Sequence, residues 1–198
     1  MRNKLGGKEI IACIGGATLF VLAAMMMSVI FPYGTMSGLG DYFNVSVSIL
    51  AVVSAIFGPF VGAVIGFGGA MITDIMLAGQ VYLIDAIAAC IYGILIGMFS
   101  EKFMVLEGEF NIARLGEYAA IVTFSGIINW LLFCPFASCL YRTSNLYTTL
   151  SRGFRVFVGS SMGAVVLGAI AMSVTSKLIY SQKQRYVYTE REFYNNHG

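Results

Sequence analysis

Long apolar segments separated by short polar or glycine-rich stretches run through most of the 198-residue chain. The clearest one extends from Ile10 to Phe31, contains no charged residue and is followed by Pro32. A helix needs about 20 apolar residues to cross the ~30 Å hydrocarbon core of a bilayer. We therefore predict an all-α integral membrane bundle that forms a single domain over residues 1–198. Its six transmembrane helices are expected at 10–31, 43–57, 59–76, 81–99, 118–140 and 154–180.

Glycine and proline mark several of the predicted boundaries. Gly58-Pro59 divides the second span from the third, because proline cannot continue a helix and restricts the residue before it. Gly79-Gln80 predicts a tight turn between the third and fourth spans. The polar stretch 181–198 is expected to be a cytoplasmic tail that frays in water.

The composition excludes several classes of protein. The chain is 58% hydrophobic and 11% charged, whereas a soluble domain carries about 25% charged residues. Its mean hydropathy is +0.82. A soluble enzyme and a disordered protein are excluded on these grounds. The net charge of +2, without a basic cluster among aromatics, argues against nucleic-acid binding.

The distribution of lysine and arginine predicts the orientation in the membrane. With six spans both termini lie on one side, and cytoplasmic loops carry the excess of positive charge. Nine basic residues fall on the side of the termini: Arg2, Lys4, Lys8, Lys102, Arg114, Lys177, Lys183, Arg185 and Arg191. Three fall on the other side: Arg142, Arg152 and Arg155. Both termini are therefore predicted to be cytoplasmic.

Small residues repeat every four positions along several spans, as expected where helices pack closely in a bilayer. The third span has Gly58, Gly62, Gly66 and Ala70, and the fourth has Asp85, Ala89, Gly93 and Gly97. The sixth span has Gly159 with Gly163, and Ser160 with Ala164 and Gly168. These stripes predict contacts inside the bundle. In the first span, Ala12 and Gly16 fit internal packing or docking onto another membrane protein equally well.

Signatures of catalysis are missing from the sequence. His197 is the single histidine and lies in the tail, so His-based triads and HExxH zinc sites are excluded. Gly6-Gly7-Lys8-Glu9 lacks the upstream glycine and the Ser/Thr of a phosphate loop. We predict no catalytic residue and no metal site. Any energy for transport would come from a partner or a coupled ion.

Ionisable residues at membrane depth indicate a functional site by default. Asp74 lies near the outer end of the third span, and Asp85 lies near the outer start of the fourth, one turn after Tyr82. Three arginines approach the same outer third: Arg142, Arg152 and Arg155. This group fits either a pocket for a polar or anionic small molecule or a set of structural ion pairs.

Asn129 and Trp130 lie in the middle of the fifth span. A buried asparagine needs a partner, which either a neighbouring helix or a ligand could supply. Trp130 is far from both interfaces and suits stacking on a flat ring. Tyr33, Asp41 and Asn44, in or after the first loop, fit a lid or a plain solvated loop.

The stretch from Asn44 to Phe103 resembles the S components of energy-coupling factor (ECF) transporters, in particular the riboflavin-transporter branch. The matching residues are Ala55, Phe57, Gly58, Pro59, Gly62, Gly66, Gly69 and Asp74, with Tyr92, Gly93, Gly97 and Phe99 on the fourth span. The resemblance implies a six-helix subunit of a bacterial cytoplasmic membrane that binds a vitamin on its outer side. It also implies partners, namely a transmembrane coupling protein and two ATPases, with Ala12 and Gly16 as the docking face on the first helix.

The sequence therefore predicts the substrate-binding subunit of an ECF-type importer. Its ligand is expected to be a vitamin or precursor of the flavin, thiamine-precursor or cobalamin class, with no cofactor besides this transported solute. Predicted pocket residues are Asn44, Asp74, Tyr82, Asp85, Asn129, Trp130 and Arg155. One alternative is a stand-alone ion-coupled secondary transporter or channel subunit that uses Asp74 and Asp85. The other is a non-transporting assembly or scaffold protein that docks through its glycine stripes.

Overall fold

The computed structural model describes residues 7–30, 44–108, 110–140 and 146–197. Within these ranges the chain is helical apart from short turns, and no strand is formed. The helices are α1 (Gly7–Ile30), α2 (Val45–Phe57), α3 (Pro59–Ala78), α4 (Leu83–Gly97), α5 (Ser100–Phe103), α6 (Ile112–Leu140) and α7 (Leu146–His197), with a 3-10 turn at Val105–Glu107. The prediction of an all-α protein is confirmed.

Among the described residues, four stretches are long and apolar enough to cross a membrane: Glu9–Ile30, Pro59–Ala78, Ile112–Phe133 and Thr149–Gln182. The apolar helices α2 and α4 have only 13 and 15 residues. At 1.5 Å per residue they are roughly 20 and 22 Å long, shorter than the ~30 Å hydrocarbon core. The count of six crossings therefore stays a prediction.

Taken in chain order, the apolar helices alternate in direction between two ends of the bundle. Gly16 and Phe20 of α1 face Ile65 and Gly69 of α3, so these two helices are parallel. Gly62 and Gly66 of α3 face Gly93 and Ala89 of α4, which is the antiparallel arrangement. We call the end with the Gly79-Gln80 turn the hairpin end. The opposite end holds the α2–α3 corner, where Gly58 lies beside Ser100 of α5.

Both predicted turns depend on glycine in a backbone conformation that side chains disfavour. Gly58 has φ +97° between α2 and α3, and Pro59 follows at the start of α3, where its missing N–H is harmless. Gly79 has φ +69° and caps α3 by donating its N–H to the carbonyl oxygen of Ile75 at 3.1 Å. Both turns could be predicted from the sequence because each requires a glycine with positive φ at its own position.

The ends of the last two helices differ from the prediction. α6 begins at Ile112 and α7 at Leu146, both ahead of the expected 118 and 154. α7 also continues to His197, through the stretch for which the sequence predicted a frayed tail. Residues such as Gln184, Arg185 and Glu192 have high helix propensity, so this polar stretch extends a helix that packing has already formed.

α3 and α4 pack with their backbones in contact. A β-carbon built on Gly62 would lie 2.5 Å from the carbonyl oxygen of Gly93, and one on Gly97 would lie 2.5 Å from the backbone of Pro59. A β-carbon on Gly66 would likewise meet the backbone of Ala89. The predicted stripes on these helices therefore do form contacts inside the bundle.

α2 lies at the centre of the bundle and contacts α1, α3, α4 and α7. Its Leu50 and Ala51 are fully buried, together with Ile65 and Ile96 of the neighbouring helices. Large apolar side chains are exposed on the outer helices, among them Ile11, Val29, Leu132, Val166 and Leu178. An apolar outer surface around a packed interior suits a bilayer.

The small residues of α1 face the interior of the chain. Gly16 is buried, and a β-carbon built on it would lie 3.3 Å from Val53 of α2 and closer still to Ile65 of α3. Ala12 is half-buried and packs against the core. The described contacts are those of internal packing, while docking through this face stays a prediction.

Candidate functional site

The turn between α3 and α4 joins two of the predicted pocket residues. Asp74 is half-buried near the end of α3, and its Oδ2 accepts a hydrogen bond from the backbone N–H of Tyr82 at 3.0 Å. The Tyr82 hydroxyl in turn accepts from the side-chain amide of Gln80. A carboxylate, a phenol and an amide are thereby held together at the hairpin end.

A second carboxylate lies in the first turn of α4. Asp85 is exposed, and its backbone N–H donates to the carbonyl oxygen of Tyr82 at 3.0 Å. A negative charge is favoured at a helix N-terminus, and the charge of Asp74 opposes it from the other side of the turn. Next to Asp74, the buried Thr73 hydroxyl oxygen has no hydrogen-bond partner among the described residues.

Asn129 connects α6 to α4 near this end. Its Nδ2 donates to the carbonyl oxygen of Ala88 at 2.8 Å. Of the two interpretations left open by the sequence, this contact is the hydrogen bond between helices. It uses the amide N–H group, and the amide oxygen takes no part in it.

Trp130 connects α6 to α7. Its Nε1 donates to the carbonyl oxygen of Leu150 at 3.1 Å. The indole ring stacks on Phe157, with centroids 6.3 Å apart and planes 13° apart, and is tilted against Phe154 at 5.2 Å. The result is a cluster of three aromatic rings between the two helices, on the same side of the bundle as Asn129.

Asn44 also lies at the hairpin end, where α2 begins. Its Oδ1 accepts from the backbone N–H of Val47 at 3.3 Å and from the Ser46 hydroxyl. Asn44 thereby caps the N-terminus of α2. The other residues of the predicted lid, Tyr33 and Asp41, lie outside the described residues, as does Arg142.

Arg155 is separate from this group. It is exposed on the face of α7 that also carries Met162 and Val166, seven and eleven positions further on. The described contacts do not join it to Asp74, Tyr82 or Asn129. The side chain of Arg152 lies outside the described part of the chain.

A second group of hydroxyls lies deeper, on α4, α6 and α7, and was not predicted as a site. The Tyr118 hydroxyl donates to the carbonyl oxygen of Ala164 at 3.1 Å, and its ring lies edge-on to Phe103. The hydroxyls of Tyr92 and Ser160 are buried and have no partner among the described residues. In the sequence these two residues stood out only as a family match and as part of a packing stripe.

No three His, Cys, Asp or Glu side chains in the described ranges come together in a way that could hold a metal ion.

A helical membrane protein whose polar side chains gather at one end of the bundle has the construction of a subunit that binds a solute there. The sequence model of the family described as the ECF-type riboflavin transporter, S component, matches residues 7–176. The match includes every predicted pocket residue and both residues of the predicted docking face. The chain belongs to this family.

Relatives of similar length support this assignment. The chain is 24% identical to a UPF0397 protein of Lactobacillus gasseri over 168 residues, which is 85% of this chain and 88% of the relative. It is 25% identical to one of Enterococcus faecalis over 172 residues, covering 87% and 91%. For one of Clostridium perfringens the values are 24% over 176 residues, covering 89% and 92%. No solved structure matches the chain.

Membership of this family defines the general role of the chain. It is a substrate-binding membrane subunit of an ECF-type importer. The family is one of transporter subunits rather than enzymes, and its members bind small vitamin ligands and work with ECF modules.

Proposed function

We propose that the chain captures a vitamin or vitamin precursor, most specifically a flavin, at the hairpin end. The outer face of the membrane would lie at this end, and delivery inward would require a transmembrane coupling protein and two ATPases. The flavin assignment is supported by the description of the matching family. The role of the partners is supported by the absence of a phosphate loop from the sequence.

The observation that carries the proposal is the set of polar contacts across four helices at one end. Asp74 and Tyr82 join α3 to α4, Asn129 joins α6 to α4, and Trp130 joins α6 to α7. Polar groups are costly in a bilayer unless they are paired or serve a function. Fixed positions also lower the entropy lost when a ligand binds.

Each pocket residue has a proposed role. Trp130 stacks on a flat ring, the Asn129 amide oxygen accepts from a ring N–H group, and Asp74 and Tyr82 bind hydroxyl groups. Asn44 and Asp85 complete the rim. Arg155, exposed on α7, attracts a polar solute to the mouth rather than holding it.

The proposed topology is a single six-crossing domain in the cytoplasmic membrane of a bacterium, with both termini in the cytoplasm. Its support is the alternating direction of the successive apolar helices and the distribution of lysine and arginine. Single cysteines in the turn at 79–80 should react with an impermeant thiol reagent from outside intact cells. Cysteines in the segment 98–111 should react only after permeabilisation, and the reverse pattern would contradict the topology.

Docking through Ala12 and Gly16 is also proposed, although Gly16 packs inside the chain.

Ligand titration tests the function directly. The purified full chain in detergent is titrated with riboflavin, thiamine precursors, cobalamin, pantothenate and folate, using calorimetry or quenching of flavin fluorescence. We expect one flavin per chain with a Kd in the micromolar range or below. The absence of any binder in the panel would contradict the proposal. Uptake driven by an ion gradient in proteoliposomes containing this chain alone would instead support an ion-coupled transporter that uses Asp74 and Asp85.

A further inference from the structure

Two hydroxyl groups in the middle of the bundle are buried without a partner. Tyr92 on α4 is 4% exposed and Ser160 on α7 is 8% exposed. Neither hydroxyl has a hydrogen-bond partner among the described residues. A buried polar group that forms no hydrogen bond lowers stability, so such a group in a native protein calls for a specific explanation.

A third buried hydroxyl in this part of the bundle belongs to Tyr118. The Tyr118 hydroxyl donates to the carbonyl oxygen of Ala164, one helical turn from Ser160 on the same face of α7. The Tyr118 hydroxyl already has a partner, whereas those of Tyr92 and Ser160 are free to bind another molecule.

Both hydroxyls lie one turn deeper than contacts of the proposed pocket. Tyr92 is four positions after Ala88, whose carbonyl oxygen accepts from Asn129. Ser160 is three positions after Phe157, on which Trp130 stacks. Side chains on a helix lean towards its N-terminus, which for α4 is the hairpin end. The Tyr92 hydroxyl is therefore positioned beneath Asn129, at the floor of the proposed pocket.

The surroundings of this floor determine which chemistry it can recognise. Among the described residues no charged side chain is buried, and the buried polar side chains other than tyrosine are all serines. A charged group would lose its hydration there without gaining a counter-charge. Each hydroxyl both donates and accepts, so the floor suits an uncharged group that offers a carbonyl oxygen and an N–H side by side.

We propose that Tyr92 and Ser160 form a floor subsite that hydrogen-bonds the carbonyl and N–H edge of an uncharged heteroaromatic ring. This inference rests on the proposed function, because it assumes a ring held between Trp130 and Asn129. It assigns selectivity between related solutes to Tyr92 and Ser160, which lie deeper than the rim of the pocket with Asn44 and Asp85. The rim then holds the hydrophilic part of the solute.

Two probes that differ at this edge test the subsite. Riboflavin carries the carbonyl and N–H edge, and 3-methylriboflavin replaces the hydrogen of that N–H with a methyl group. Both are titrated against the full chain and against Tyr92→Phe and Ser160→Ala. We expect the unchanged chain to prefer riboflavin about tenfold or more, since the methyl group removes one hydrogen bond in dry surroundings. Each substitution should weaken riboflavin binding by about tenfold and reduce the preference between the two flavins.

Tyr118→Phe is the matched control, because it removes the same atom from a hydroxyl that has a partner. It should lower the melting temperature and leave the preference for riboflavin intact. The subsite is disproved if Tyr92→Phe and Ser160→Ala both keep the affinity and the preference of the unchanged chain. A fall in melting temperature with unchanged affinity would equally overturn it, by assigning the hydroxyls to a structural water. If the unchanged chain binds neither flavin nor any other vitamin in the panel, the proposed function fails together with the subsite.

Discussion

The α3–α4 and α6–α7 pairs both pack through small residues, but in different ways. Between α3 and α4 the glycines bring backbone against backbone, as at Gly62 and Gly93. Between α6 and α7 the glycines make room for side chains: Phe157 and Ser161 fill the space over Gly126, and Tyr118 fills the space over Gly168. A side chain can rotate to another rotamer, whereas a helix backbone can move only as a unit. We infer that the first pair is the rigid part of the bundle and that the second can adjust.

The largest expected effect is on the rigid pair. Gly66→Ala places a β-carbon against the backbone of Ala89, so the two helices must separate. We expect a loss of about 3 kcal/mol in the free energy of unfolding, the upper part of the range for overpacked sites. Unfolding of the purified chain by sodium dodecyl sulfate, followed by circular dichroism, measures it.

Gly68→Ala on the same helix is the control, because a β-carbon there meets nothing within 4 Å. Its stability should stay within about 0.5 kcal/mol of the unchanged chain, as for substitutions away from packed features. Equal losses at the two positions would contradict the assignment of backbone contact to Gly66.

A smaller effect is expected where a side chain fills the gap. Gly168→Ala crowds the ring and hydroxyl of Tyr118, which can rotate away at the expense of its hydrogen bond to Ala164. We expect a loss of about 1.5 kcal/mol, less than for Gly66→Ala. Combined with Tyr118→Phe, the change should cost less than the sum of the two single effects, because the residues share one contact. Strict additivity would disprove the coupling.

The next smaller loss of stability is expected for the hydrogen bond that bridges α6 and α4, from Asn129 to Ala88. Asn129→Ala removes the hydrogen bond to Ala88 and should lower stability by about 1 kcal/mol, the usual size for such bonds between membrane helices. Flavin affinity should fall as well if the amide oxygen contacts the ligand. Thr123→Ala on the same helix is the control, since that exposed hydroxyl donates to the carbonyl oxygen of Ala119 in its own helix. Similar melting temperatures for the two variants would argue against the bridge.

The smallest effect is expected at the aromatic cluster. Trp130→Phe keeps a ring against Phe154 and Phe157 but removes the donor to Leu150. We expect a loss of about 0.6 kcal/mol, because α7 can adjust around one missing bond. Differential scanning calorimetry in detergent resolves this change. A loss larger than that of Gly66→Ala would reverse the comparison of the two pairs.

The sequence predicted those parts of the fold that have local causes. Gly58 and Gly79 are needed by the backbone conformation at their own positions, and the glycine spacing on α3 follows from the helical repeat. The start of α7 and its continuation to His197 were missed, because a polar segment attached to a formed helix has no boundary signal of its own.

The candidate site was predictable only in outline. The gathering of polar residues at one end follows from hydropathy and topology, which is why Asp74, Tyr82 and Asn129 stood out. Their partners depend on the register between helices, so the hydrogen bond from Asn129 to Ala88 could not be predicted from the sequence. Tyr92 and Ser160 show the same limit, since a sequence shows that a hydroxyl is present but not whether it lacks a partner.

The length of α7 has a consequence for any protein that approaches from the opposite end. Its 52 residues extend over about 78 Å of helix axis, against roughly 45 Å for a bilayer with its headgroups. The surplus of about 30 Å is comparable to the diameter of a small protein domain. A neighbour that comes flush with the membrane surface on that side must therefore accommodate this projecting rod or be kept at a distance by it.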